Sequence, residues 1–192
     1  MKRAGMLLTL LVSGSAFAHG GGDHVHSLAE GLWHPLSGAD HLLAMVGVGL
    51  LAANIGGRAR WQLPLAFVGA MTMAAIAALT GLIGGAPVEH LIAFTVVLIG
   101  VPLAFALKPA RLPLIALIAA CGALHGHAHG VELPMAANAL PYVCGFVLST
   151  ALLHAAGAFA GMALNRIQTG GIALTRYAGA VLTVSGLVLM LG

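Results

Sequence analysis

Eight of the ten histidines fall in three short clusters, and two of those clusters lie inside long apolar runs. The first reads Trp33-His34-Pro35-Leu36-Ser37-Gly38-Ala39-Asp40-His41. The second reads Cys121-Gly122-Ala123-Leu124-His125-Gly126-His127-Ala128-His129-Gly130-Val131-Glu132. Imidazole joined by carboxylate is ligand chemistry for divalent first-row ions such as nickel, copper, zinc and iron. Bonds to such an ion are about 2.0–2.1 Å, so its ligands must come within a few ångströms of one another. His125 and His129 meet that demand on one helical face at i, i+4, and Glu132 follows three residues later. His127 falls about 200° from His125 if the helix persists. Gly126 and Gly130 offer the alternative, an unwound segment on which all three imidazoles converge. His34 and His41 are seven residues apart, about 10 Å along a helix. They serve one ion only if the helix breaks, and Gly38 is placed to break it. Otherwise His34 is an outer station and Asp40 with His41 a deeper one. Stations in series suit conduction, because a single tight site traps the ion.

The metal positions expected on this basis are His34, Asp40, His41, His125, His129 and Glu132. The third cluster, His19, His24 and His26 around Asp23, sits in a Gly-rich tail suited to gathering metal loosely; with His127 it is accessory. Plainer readings stand beside these. Asp40 with Ser37 resembles a helix-capping pair, and Trp33 an interfacial anchor. His154 is most simply a packing residue, Glu89 and His90 solvated loop residues, and Cys121 and Cys144 small apolar core residues. No tightly bound cofactor is expected.

The elements that must carry these residues are membrane helices. Mean hydropathy is +1.02, and only 7% of residues are charged, against about 25% in a soluble domain. Residues 1–18 form an export signal: Lys2 and Arg3, an apolar stretch, then Ala16-Phe17-Ala18 as cleavage pattern. Residues 19–33 follow as a periplasmic His-containing segment, and 34–192 as the transmembrane domain. Six apolar spans are expected at 36–54, 63–83, 91–107, 112–126, 140–164 and 174–191, the fourth short unless it continues through the second His cluster. With the mature N-terminus outside, Arg58, Arg60, Lys108, Arg111, Arg166 and Arg176 all fall in cytoplasmic loops or beside them. The positive-inside rule is thus obeyed throughout. The fold class is an all-α, six-helix membrane bundle with both mature termini periplasmic, in the bacterial inner membrane. Spans one and four run antiparallel and both carry a His/acid cluster, but the halves are too dissimilar in sequence to assign an inverted repeat.

Several functions are disfavoured. No basic stripe or aromatic platform suits nucleic acid. There is no H-E-x-x-H for an intramembrane metallohydrolase and no nucleotide-binding motif, so the chain reads as a non-enzyme. A b-type haem subunit would place two axial imidazoles across the bundle; here imidazoles gather with carboxylates at one depth, as suits a hydrated cation. A metal-binding accessory or sensor without transport is the remaining alternative to a permease.

The two motifs, HPLSGADHLLAM over 34–45 and LHGHAHGVELP over 124–134, resemble the signatures of the HupE/UreJ family of nickel permeases, with Leu124 where that family has Phe. The resemblance implies uptake of Ni(2+), or cobalt in some members, for hydrogenase or urease maturation. It implies His34, Asp40, His41, His125, His129 and Glu132 as the matching positions. Lipid, a divalent metal ion, downstream nickel chaperones and a homo-oligomer are the partners it suggests.

Overall fold

The computed structural model describes residues 27–85, 88–132, 139–167 and 170–192, with Glu132 by its backbone alone. Among the described residues every regular element is a helix: α1 Leu28–Ser37, α2 Ala39–Ile55, α3 Ala59–Leu79, α4 Glu89–Ala104, α5 Arg111–Glu132, α6 Ala139–Arg166 and α7 Gly171–Leu191. The second to sixth expected apolar segments each coincide with a helix, and the first is divided between α1 and α2. The fourth does continue through its histidines, as α5. The expected signal and the His19–His26 cluster lie outside the described residues.

The first span departs from expectation. The segment assigned to residues 19–33 ends in helix, because Ser27 and Glu30 form a reciprocal cap. The Ser27 hydroxyl accepts from Glu30 N at 3.1 Å, and the Glu30 carboxylate accepts from Ser27 N at 3.0 Å. The chain then bends by 86° at Gly38 between α1 and α2. Ser37 does not cap α2; its hydroxyl donates to the His34 carbonyl at 2.7 Å.

Four helices, α3, α5, α6 and α7, are long and apolar enough to cross a bilayer. The bent pair α1–α2 qualifies as a fifth, and α4, with 16 residues, is a shorter apolar helix. Burial is inverted relative to a soluble globule. Leu65, Met73, Leu152 and Phe159 face outward, while His125, His129, His154 and Thr150 are buried. Lipid is the solvent that makes this arrangement favourable.

In lipid, helix association relies on close packing rather than on apolar burial, so small residues sit at the contacts. Gly122, Gly126 and Gly130 of α5 press on the backbone of Phe67, Met71 and Ala75 of α3, in parallel register. Gly157 and Gly161 of α6 press on Val46 and Leu50 of α2, also in parallel. Gly100, Gly179 and Gly186 join α4 to α7 in antiparallel sense. The glycines of α5 thus serve the α3 contact, and the helix does not unwind at them. The three pairings map onto themselves when α2–α4 are exchanged for α5–α7.

A β-carbon at Gly126 would overlap the Met71 carbonyl, whereas one at Gly69 meets nothing within 4 Å. Gly126→Leu is therefore expected to destabilise the protein by about 1–3 kcal/mol or more, and Gly69→Ala not at all. Thermal unfolding of the two variants in detergent checks this.

Candidate metal centre

The bundle has two chemically distinct ends. At one, Arg111 Nε donates to Gln62 Oε1 at 2.8 Å, Arg176 Nε to the Ala104 carbonyl at 3.1 Å, and Asn165 Nδ2 to the Ala53 carbonyl at 3.1 Å. Arg58 and Arg60 open α3 at that same end. The other end carries α1, the start of α2, the last turns of α5 and the start of α6, and it gathers the imidazoles.

Four of the expected metal positions converge there. Gly31 of α1 lies against the Tyr142 carbonyl of α6, and Gly145 of α6 against the Leu28 carbonyl, which fastens α1 down. His34, one turn beyond Gly31, is thereby turned back over the end of the bundle. Its ring centroid lies 4.7 Å from that of His129 and 6.0 Å from that of His41. The His41 ring is 4.8 Å from His129 and 5.0 Å from His125. Ligand atoms of His34, His41 and His129 all lie within 4.8 Å of one another. A ligand set around one ion spans at most about 4.2 Å, twice the bond length, so a sub-ångström inward shift closes it. The broken-helix alternative holds: His34 and His41 address one space.

Asp40 reaches this space through His41. Its Oδ1 lies 2.8 Å from His41 Nδ1 and also accepts the His41 backbone N–H at 2.8 Å. One oxygen thus ties the first turn of α2 and orients the imidazole, leaving Nε2 as the nitrogen free to accept a metal. A carboxylate behind a metal-binding histidine fixes its tautomer and raises its basicity. The capping and metal readings of Asp40 meet in this one atom. A β-carbon at Gly38 would come within 3.0 Å of that oxygen and 3.1 Å of His41 Nδ1, so a side chain there would have to displace the Asp40–His41 pair by a few tenths of an ångström. Its backbone, at φ −99° and ψ 123°, is open to any residue.

His125 and His129 share the inner face of α5, both fully buried. His125 Nδ1 donates to the Cys121 carbonyl at 2.9 Å, an i−4 bond that fixes its ring. His129 stacks on Phe146 with centroids 4.9 Å apart. The Nε2 atoms of His41 and His125 and both ring nitrogens of His129 are buried without a hydrogen-bond partner among the described residues. Each such atom costs about 1–3 kcal/mol, a penalty that a cation bound through one nitrogen of each ring would offset in part. His127 is only half-buried and stands outside the cluster, as its helical angle requires. The side chain of Glu132 lies outside the described residues. Glu89 and His90 are exposed. Cys121 is buried but Cys144 is exposed, which corrects the expectation that both line the core. Tyr142 and Phe146, which wall the cluster, carried no signal in the sequence beyond their place in an apolar run.

Fold and site together define a helical membrane protein with a buried imidazole cluster near one end of its bundle. The chain matches the HupE / UreJ protein family over residues 7–189, and it belongs to that family. It is 39% identical over 186 residues to Protein HupE of Rhizobium leguminosarum bv. viciae, covering 97% of this chain and 95% of that one. No solved structure matches it.

If Asp40 acts through His41, Asp40→Ala is expected to weaken Ni(2+) binding to the purified protein by about 10–100-fold while the protein still folds. Equilibrium binding in detergent reads this directly. Unchanged affinity would reduce Asp40 to a helix-starting residue.

Proposed function

We propose that the chain is a secondary permease or channel that takes up a divalent transition-metal ion, Ni(2+) first, across the bacterial inner membrane. The observation that carries this reading is the convergence of His34, His41 and His129, with ligand atoms within 4.8 Å, inside an apolar helical bundle. Ionisable groups buried at such depth are retained for function rather than packing. Three imidazoles, one backed by a carboxylate, suit a borderline divalent ion better than a hard one. The positive-inside rule assigns the arginine end to the cytoplasm, so the imidazole end faces the periplasm, where the ion is collected. His34, on the short α1, is the first imidazole met; His41 and His129 lie behind it and His125 deeper. Asp40 orients His41, and Glu132 is kept in the set as the acidic residue closing α5. The ion is substrate here, and no catalytic residue is assigned. Membership of the HupE/UreJ family supports delivery of the metal to hydrogenase or urease maturation.

Radiolabelled nickel uptake into cells, with cobalt, zinc and copper as competitors, tests the reading. Saturable uptake is expected. His41→Ala and His129→Ala should each lower it by tenfold or more at matched expression, an order-of-magnitude figure for losing one of three ligands. His127→Ala should be mild. Nickel binding without uptake would make the protein a metal-binding accessory instead. Equal damage from His127→Ala would mean that α5 unwinds in the working protein.

A further inference from the structure

Beyond the imidazole cluster, one more buried histidine has the ligand pattern without an assigned role. His154 of α6 is 1% exposed. Its Nδ1 donates to the Thr150 carbonyl at 2.7 Å, which leaves Nε2 as the basic nitrogen. That atom is buried with no hydrogen-bond partner among the described residues. His125 has the same arrangement, with Nδ1 tied to the carbonyl four residues back and Nε2 unpartnered. The two rings lie against the same side chain: Phe67 is 5.1 Å from His125 and 5.0 Å from His154, centroid to centroid. With His41 and His125 5.0 Å apart, an unbroken line of rings runs from the cluster to His154.

The line also goes inward. The His154 backbone lies against Gly49 of α2, eight residues beyond His41, about 12 Å deeper at 1.5 Å per residue. On the outer side of His154, Leu65 and Trp61 of α3 face the lipid. A residue needed only to fill space between Phe67 and the lipid-facing wall would be apolar. An imidazole with one nitrogen pinned and the other left basic is a costly filler and a ready ligand.

We propose that His154 is a second, inner ligand position for the transported cation, set beyond Phe67 from the imidazole cluster. The inference rests on the permease reading above. A cation moving inward leaves His125, passes Phe67 and is accepted by His154 Nε2. A single imidazole holds it weakly, as suits a position from which it must leave.

The test pairs uptake with binding, using Ni(2+) as the probe. His154→Asn keeps a donor for the Thr150 carbonyl but removes the imidazole; His154→Cys restores a ligating atom. His154→Asn is expected to lower the maximal uptake rate at least about tenfold, while Ni(2+) affinity at the outer cluster of the purified protein stays unchanged. His154→Cys should recover part of the rate. Undiminished uptake by His154→Asn would overturn the inner position and leave the permease reading intact. Loss of both uptake and outer-cluster binding in the two variants would show that His154 is a packing residue and also overturn it. Absence of uptake by the unaltered protein would remove the permease reading, and this inference with it.

Discussion

The Asp40 oxygen that holds both the backbone N–H and the ring nitrogen of His41, at 2.8 Å each, sits at the 86° bend between α1 and α2. Without the bend at Gly38, His34 would stand about 10 Å from His41 along one axis. With it, the two rings are 6.0 Å apart and His129 lies within 5 Å of each. The bend in turn needs α1 clamped to α6, which the Gly31 and Gly145 contacts provide. A carboxylate at a helix start is favourable in itself, so local stability and metal chemistry select the same residue. Ligands held by a broken helix at the end of a bundle can also separate with little disturbance to the packed helices behind them.

Behind that site the bundle is held by glycine-to-backbone contacts, and this has a chemical consequence. Close contact leaves little room for water around α5, so His125 and His129 are desolvated in fixed orientations. On the proposed reading, a cation reaching them would exchange its hydration shell for imidazole nitrogens, which would compensate the loss only for ions that bind nitrogen well. Alkali and alkaline-earth ions, which prefer oxygen, would be disfavoured by the same geometry.

Much of this was legible in the residues. Hydropathy located the apolar segments that form α2 to α7, and i, i+4 spacing separated His125 and His129 from His127, which the structure leaves half-buried. The break at Gly38 was an open alternative, because a glycine licenses a bend without requiring one; the contact between α1 and α6 decides it. The Ser27-x-x-Glu30 pattern announced α1, but its short amphipathic run merged with the expected non-membrane segment. His154 was invisible as a ligand position because a lone histidine in an apolar helix carries no local signature. Its partner in the argument, Phe67, lies on α3, far away in sequence and brought near by the α3–α5 and α3–α6 contacts.

The central claim is that several imidazoles at the end of the bundle bind one divalent cation together. X-ray absorption at the nickel edge of purified, nickel-loaded protein reads the ligand set directly. Scattering from two or three imidazole rings at about 2.1 Å, reduced by one ring in His129→Ala and unchanged in His127→Ala, is the predicted result. A shell of oxygen atoms alone, identical in both variants, would contradict it.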